Sequence, residues 1–99
     1  MARFDIFKNE GGAGYLLDVQ SDLLSGLNTR VVVPLLPQSS APFPAQRLNP
    51  VFSIEGQDLI MATQYMAAVP VGELRSRVGS LAEQQDEISA ALDMLFLGF

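Results

Sequence analysis

The stretch Arg30-Val31-Val32-Val33-Pro34-Leu35-Leu36 is the strongest strand signal in this sequence. Its run of valines favours an extended strand, because β-branched side chains pack well on a pleated surface. Pro34 has no N–H to donate to a neighbouring strand, so we expect the strand to end, to bulge or to lie at a sheet edge there. The other predicted elements lie on either side of this strand.

Two hairpin signals flank it. Residues 3–7 alternate apolar and polar side chains, and a glycine-rich connection at 9–14 joins them to a second predicted strand at 15–19. Downstream, predicted strands at 51–54 and 59–62 enclose the turn-forming segment 55–58, and residues 67–71 predict a short edge strand. The segment 37–50 contains four of the six prolines, so we expect a surface loop there.

The pattern changes to a helical one from Ser80 onward. Ser80 and Glu83 have the spacing of a capping box, in which the serine hydroxyl accepts from the Glu83 amide and the glutamate reaches back. Apolar residues then recur at helical spacing, at Leu81, Ile88, Leu92 and Leu95. The sequence therefore predicts a helix from about residue 81 to the low or mid 90s.

Composition excludes several classes of function. With 99 residues the chain is long enough for one domain with one core. It contains no cysteine and no histidine, which excludes disulfides, thiolate or Ser-His-Asp catalysis, and metal sites built from those side chains. We therefore expect no cofactor, no metal and no enzymatic activity.

Charge and hydropathy bear on partners and location. The net charge of −5 disfavours direct nucleic-acid binding, which needs clustered Lys and Arg side chains to contact the phosphates. No Lys-Ser or Lys-Thr pair follows the glycines at 11–14, so a phosphate-binding loop is not expected. No apolar run approaches the ~18–20 residues that span a bilayer, and the start of the chain does not resemble a signal peptide. We expect a soluble cytoplasmic protein without membrane contact.

The end of the chain stands out, because residues 94–99 are apolar apart from Gly98. Chain ends are usually exposed and frayed unless they dock somewhere. Either this tail folds back onto the core, or it forms an exposed patch for a partner or a homodimer. Both arrangements bury apolar surface, so the residues leave the choice open. The segment 95–99 is the predicted working part of the protein.

Several segments together resemble CcdB, the toxin of CcdA–CcdB toxin–antitoxin modules. Residues 17–24 resemble its VDVQSD segment with two following aliphatic residues, and 30–35 its R-x-V-I-P-L strand. Residues 66–71 resemble its MASVPV segment, and 86–99 its terminal helix. The order and spacing of these segments span nearly the whole chain, while 37–50 aligns poorly.

The resemblance implies a mainly β (α+β) fold: an SH3-like β-barrel with a five-stranded antiparallel sheet, a small extra sheet and one C-terminal α-helix, shared with MazF and Kid toxins. It implies a symmetric homodimer with the terminal helices near the twofold axis. It also implies a toxin that inserts into the gyrase A subunit and traps the DNA-cleaved intermediate. A CcdA-like antitoxin would wrap the toxin with a disordered C-terminal segment and remove it from gyrase.

The resemblance also implies which residues contact gyrase. The Trp-Gly-Ile end of the family falls on Leu97, Gly98 and Phe99, and Phe96 matches the preceding Phe. Asp93 replaces an Asn of the family. On an early loop, Leu23 and Leu24 replace two isoleucines, and simple core packing is the alternative for those two leucines.

Two alternative functions follow from particular residues. Because Leu97 replaces the tryptophan that stacks on a gyrase arginine, the first is a CcdB-fold protein with lost or altered gyrase activity that still binds an antitoxin. The second is a MazF-like endoribonuclease in which Thr29 and Arg30 assist phosphate cleavage without histidine. The competing interpretation of that pair is a solvated strand end.

Overall fold

The computed structural model describes residues 2–42 and 44–99. Within this part the strands are β1 (Asp5–Lys8), β2 (Tyr15–Asp18), β3 (Thr29–Leu36), β4 (Val51–Ile54), β5 (Gln57–Met61), β6 (Ala67–Pro70) and β7 (Arg77–Ser80). One α-helix follows, α1 (Gln85–Leu97), and short 3₁₀ turns lie at Asp22–Leu24, Thr63–Tyr65, Val71–Glu73 and Ala82–Gln84. The predicted proline-rich loop is confirmed, since 37–42 and 44–50 contain no strand or helix.

β3 is the centre of a curled antiparallel sheet. It pairs with β2 along one side, and on the other side first with β6 and then with β5. The order β6–β3–β2–β1–β7 makes five strands, and β4 and β5 extend from the end of β3 as a smaller sheet. The predicted mainly β class, with a C-terminal helix over a five-stranded sheet and a small extra sheet, is confirmed.

The prediction that the strand ends, bulges or lies at an edge at Pro34 is wrong. β3 continues through Pro34, and its register with β2 is unbroken from Val32 to Leu35. On the opposite side the pairing with β6 stops at Val32 and the pairing with β5 starts at Leu35. Pro34 lies where the partner strand changes, and its carbonyl still accepts from the Ala62 N–H at 2.9 Å. Because neither β5 nor β6 pairs with Pro34, the absence of an N–H at this residue costs the sheet little stability.

The β4–β5 hairpin has a tighter turn than predicted. Ile54 pairs directly with Gln57, so Glu55 and Gly56 alone form the connection. Their φ angles are 51° and 79°. Positive φ at both central residues matches the right-handed twist of the flanking strands, which is why two residues suffice.

This turn is tied to the first hairpin by the Tyr15 phenol, which donates to the Glu55 carboxylate at 2.7 Å. The bond raises the pKa of the Tyr15 phenol, because ionisation would destroy it. A raised folded-state pKa gives stability that is present below the ordinary value of about 10 and is lost as pH rises through the folded-state value. We expect Tyr15→Phe to lower the free energy of unfolding at pH 7 and to flatten its decline above about pH 10.

Urea unfolding at neutral and alkaline pH measures both effects. Tyr65→Phe is the matched control, because its half-exposed phenol has no hydrogen-bond partner among the described residues. Equal alkaline decline in wild type and Tyr15→Phe would contradict the assignment.

The predicted capping box is wrong, and the helix starts later than expected. Ser80 is the last residue of β7, and its hydroxyl accepts from the Ala82 N–H at 3.1 Å rather than from Glu83. A 3₁₀ turn follows, and α1 begins at Gln85 without a side-chain cap. The reason is tertiary: the Leu81 N–H donates to the Phe4 carbonyl at 2.9 Å, which ties Leu81 to the end of the sheet. β7 itself was not predicted, because it is short, mostly exposed and contains a glycine.

The core lies between the curled sheet and one face of α1. Ile88 and Ala91 of the helix are fully buried, and Leu92 is packed against them. They meet sheet residues that are also fully or nearly fully buried, namely Leu17, Val33, Leu35, Phe52, Leu59 and Met61. The helical spacing therefore placed Ile88 and Leu92 correctly on the buried face, whereas Leu81 is buried before α1 begins and Leu95 is half-buried outside this core.

Candidate partner-binding surface

The final turn of α1 directs the end of the chain away from the core. Gly98 has φ 82° and ψ 10°, a left-handed conformation that suits glycine. Its N–H donates to the carbonyls of Asp93 and Met94, each at 3.2 Å, which satisfies acceptors that a helix end otherwise leaves open. Phe99 follows this cap, so its position depends on the conformation of Gly98.

The tip, defined as Phe96, Leu97, Gly98 and Phe99, is exposed. The exposed fractions of its three apolar residues are 68% for Phe96, 60% for Leu97 and 73% for Phe99. Of the two alternatives left open by the sequence, the last four residues of the tail form an exposed patch, while Met94 and Leu95 before them are half-buried. Adjacent large apolar residues at the surface are typical of an interaction site. Asp93 is exposed one turn earlier on the same helix.

Replacing Gly98 tests how much its left-handed conformation contributes to the stability of the helix end. A Cβ at Gly98 meets nothing within 4 Å, so the cost of Gly98→Ala is conformational. We expect a loss of about 1 kcal/mol in the free energy of unfolding, from an alanine held at positive φ. Thermal and urea unfolding measure it. Gly26→Ala is the control, since Gly26 also has open space around it but no positive φ; an equal loss in both variants would contradict the role of the cap.

The second predicted pair, Leu23 and Leu24, lies on the loop between β2 and β3. Leu23 is 95% exposed and Leu24 is half-exposed, so the alternative of core packing is wrong for them. Leu27 on the same loop is also half-exposed and was not predicted. We call these three residues the leucine loop. No regular apolar period marks it, because its residues are in a 3₁₀ turn and irregular backbone.

Gln20 fixes the leucine loop from inside. Its buried side-chain amide donates to the carbonyls of Leu24 and Thr29, at 3.3 and 3.2 Å. Its side-chain oxygen accepts from the Val31 N–H at 3.0 Å. One side chain thus bridges both ends of the loop, which presents its leucines on a defined backbone. Gln20 was not predicted as a functional residue, because a single glutamine carries no sequence signal.

Arg30 is buried in an ion pair. Its Nε and a terminal nitrogen each lie 2.8 Å from Asp18 Oδ2, and the same nitrogen donates to the Gln20 carbonyl at 3.3 Å. Arg30 is 2% exposed and Asp18 is fully buried. The interpretation of Arg30 as a solvated strand end is therefore wrong, and a role in phosphate cleavage would require its guanidinium to leave this ion pair. Burial raises the pKa of the Asp18 carboxyl, and the hydrogen bond from Arg30 opposes that rise.

The predicted gyrase contacts thus fall on two segments. Asp93 and the tip lie together on the last turns of α1, whereas Leu23 and Leu24 lie on the leucine loop. The chief neighbours of α1 outside the sheet are the turns at Thr63–Tyr65 and Ala82–Gln84. A cleft of about 340 Å³ between the β1–β2 connection and the Val71–Glu73 turn contains none of the predicted residues.

The described ranges 2–42 and 44–99 contain no cluster of three or more acidic side chains placed to hold a metal ion. None of their helices has the length and apolar character needed to cross a membrane.

Comparison with known proteins adds a family and a fold. A family model described as CcdB protein matches residues 3–98. A mycobacterial endoribonuclease, solved in complex with its cognate antitoxin, superposes with a TM-score of 0.77 at 16% identity, over 100% of this chain and 98% of that one. The Mycobacterium tuberculosis toxin MazF-mt6 superposes with a TM-score of 0.76 at 16% identity, over 95% of this chain and 96% of that one. At such identity these two likenesses show a common fold.

Proposed function

The chain belongs to the CcdB protein family, and from that membership and its exposed tip we propose that it is the toxin of a toxin–antitoxin module. Its target is the A subunit of DNA gyrase, and its action is to bind and poison that enzyme. A CcdA-like antitoxin neutralises it. The exposure of Phe96, Leu97 and Phe99 at the end of a capped helix is the observation that carries this proposal.

The tip has the physical character of a binding anchor. Aromatic and aliphatic side chains that enter a pocket of a partner supply most of the energy of many interfaces. Here they are held on a helix whose buried face is fixed in the core by Ile88 and Ala91. A tip on a rigid element loses little conformational entropy on binding, which favours affinity.

The action is binding rather than bond cleavage. The chain has no histidine and no cysteine to serve as base or nucleophile. Arg30, the residue proposed for phosphate cleavage, would have to leave a buried ion pair with Asp18 to reach a substrate. The endoribonucleases among the structural neighbours are similar in fold at 16% identity, and that similarity does not carry their activity to this chain.

We further propose a symmetric homodimer. A small domain has limited core, and dimerisation would cover apolar surface that the monomer leaves in water. Exposed apolar residues outside the predicted gyrase contacts, Leu27 and Val78, supply such surface, which leaves the tip open to gyrase. Sedimentation equilibrium across a micromolar concentration range measures the state, and a monomer throughout would contradict the dimer.

Titration with the purified gyrase A dimerisation domain tests the target. We expect micromolar or tighter binding, about tenfold weaker for Leu97→Ser, since loss of a buried aliphatic side chain costs roughly 1.4 kcal/mol or more. Val51→Ser is the matched control, because Val51 is 54% exposed on edge strand β4 against 60% for Leu97. A gyrase DNA-cleavage assay then shows whether binding traps the cleaved complex.

The outcomes separate the alternatives. Failure to bind the gyrase domain, together with tight binding of the antitoxin encoded beside this gene, would indicate the CcdB-fold protein with altered target. RNA cleavage that follows the elution of this protein through successive purification steps would indicate an endoribonuclease. Equal effects of Leu97→Ser and Val51→Ser on gyrase affinity would contradict the proposal that the tip contacts gyrase.

A further inference from the structure

The guanidinium of Arg3 is held in one position beside the leucine loop. Its Nε donates to the Val19 carbonyl at 3.1 Å, and its Cζ lies over the Phe4 ring, 4.6 Å from the ring centroid. The backbone N–H of Arg3 donates to Asp22 Oδ1 at 2.9 Å, and Asp22 directly precedes Leu23. Because these contacts already restrict a side chain with many rotamers, little further entropy is lost when a partner binds it.

The backbone next to Arg3 is fixed by the core. Phe4 has a φ of 75°, which a bulky residue rarely adopts, and its side chain is buried. Its N–H donates to the Asp18 carbonyl at 2.6 Å, and its carbonyl accepts from the Leu81 N–H at 2.9 Å. Such a conformation persists only where the surrounding structure enforces it. The orientation of Arg3 is therefore set by the packing of Phe4.

The charge of Arg3 is not paired within the described part of the chain. The side chain is half-buried, and the ion pairs among residues 2–42 and 44–99 involve Arg30 and Arg77. The Asp22 carboxylate, which accepts from the Arg3 backbone, lies 3.7 Å from a terminal nitrogen of Arg30. The Arg3 side chain donates to described residues through Nε, which leaves the N–H groups on its terminal nitrogens for a partner. A guanidinium that has lost part of its hydration gains from a carboxylate placed against these groups.

The residues that follow Asp22 select the surroundings of that carboxylate. Leu23 is 95% exposed and Leu24 is half-exposed, so apolar side chains adjoin the residue to which Arg3 is bonded. A carboxylate side chain on a protein surface, with apolar residues on either side of it, matches this arrangement of one cation and two leucines.

The local charge balance admits a single carboxylate but not a polyanion. Arg3 and Arg30 offset Asp18 and Asp22, so this group is neutral in a chain whose net charge is −5. A lone carboxylate is not repelled by a neutral group. A nucleic acid carries a phosphate at every nucleotide and extends over the surrounding acidic surface, which repels it.

We propose that Arg3, Leu23 and Leu24 form one recognition surface for a carboxylate side chain of the target, flanked there by apolar residues. The identity of the target rests on the proposed function, whereas the chemistry of the contact rests on Arg3. The guanidinium forms parallel hydrogen bonds with both carboxylate oxygens. The leucines pack against the flanking apolar groups and exclude water, which strengthens the ion pair. A target without the carboxylate leaves the guanidinium covered and unpaired, so Arg3 determines specificity.

The first test measures the affinity of the full-length protein for the purified gyrase A dimerisation domain by calorimetry. We expect Arg3→Met, which keeps the aliphatic stem, to weaken binding about tenfold, and Arg3→Lys, which keeps the charge but not the parallel hydrogen bonds, about fivefold. Arg75→Met is the matched control, because Arg75 also donates its Nε to a backbone carbonyl, that of Gly72 at 2.9 Å. It should stay within about twofold of wild type.

The second test measures carboxylate binding without gyrase. NMR spectra of the full chain follow the Arg3 Nε–H and the Leu23 and Leu24 methyl groups during titration with the blocked tripeptides Leu-Glu-Leu and Leu-Gln-Leu. We expect the glutamate peptide to shift these signals saturably in the millimolar range, and the glutamine peptide to bind about tenfold more weakly. Inorganic phosphate is the third titrant. A phosphate response as strong as that to the glutamate peptide would mean that the leucines contribute nothing, and would overturn the surface.

The two tests separate this surface from the proposed function. Equal weakening of gyrase binding by Arg3→Met and Arg75→Met would mean that only the overall charge matters, and would overturn the surface, as would full affinity in Arg3→Met. Saturable binding of the glutamate peptide by a protein that does not bind the gyrase domain would support the surface and overturn the proposed target. Thermal unfolding of each variant checks that a lost affinity is not a lost fold.

Discussion

Arg30→Met is expected to destabilise the fold by about 3–5 kcal/mol, because it leaves the Asp18 carboxylate buried without its partner. This is a large part of the roughly 5–15 kcal/mol by which domains are stable, so partial unfolding at 37 °C is expected. Urea unfolding by fluorescence or circular dichroism measures the loss. Arg75→Met is the control, with an expected change within about 0.5 kcal/mol, since Arg75 is exposed and, among the described residues, its side chain donates only to the Gly72 carbonyl.

The pH dependence identifies the cause of this loss. Arg30, together with the Gln20 N–H, opposes the burial-driven rise in the Asp18 pKa, so removal of the arginine raises that pKa further. Where the folded state binds a proton that the unfolded state has released, stability increases as pH falls. The penalty of Arg30→Met should therefore be smaller near pH 5 than near pH 8.

A double-mutant cycle supplies the decisive comparison. Asp18→Asn leaves the Arg30 charge buried, and Arg30→Met leaves the Asp18 charge buried. The combined variant has neither charge, so its loss should be clearly smaller than the sum of the two single losses. Additive losses, or a penalty for Arg30→Met that does not vary with pH, would mean that the two residues contribute through packing alone.

Local sequence pattern predicted the elements of this fold better than their ends. The β4 strand and the loop over 37–42 and 44–50 are as predicted, because the hairpin signal and the proline content are properties of consecutive residues. Pro34 and the helix start differ because distant partners decide them. The change from β6 to β5 accommodates the proline, and the bond from Leu81 to Phe4 delays the helix.

The candidate site, too, was predictable from the sequence only in part. The apolar composition of the tip was evident, but only its packing decides whether it is exposed, since both arrangements bury apolar surface. The Asp18–Arg30 pair joins residues twelve positions apart. Its one local sign was a charge next to apolar residues at each position, which is rare in a buried strand unless the charge is paired. Such isolated charges were a reason to expect a pair.

Leu97→Trp is expected to strengthen binding to the gyrase A dimerisation domain about thirtyfold. In the CcdB family the residue at this position is a tryptophan that stacks on an arginine of gyrase, and this chain has an aliphatic side chain there. A desolvated cation–π contact is worth up to about 2 kcal/mol, and 1.4 kcal/mol is tenfold in affinity. Because Leu97 is 60% exposed at the last helical position, the larger indole meets no buried neighbour in the free protein.

Val51→Trp is the matched control for this gain, since it adds the same indole at a residue of similar exposure on edge strand β4. It should leave gyrase affinity within about twofold, because an isolated surface aromatic contributes little outside an interface. Calorimetric titration of wild type and both variants at one salt concentration gives the three constants. A thirtyfold gain confined to Leu97→Trp would mean that the tip faces a cation on gyrase and that the leucine is what weakens the contact. If Leu97→Trp gains nothing while Leu97→Ser still loses affinity, the tip is buried against an apolar part of the target instead.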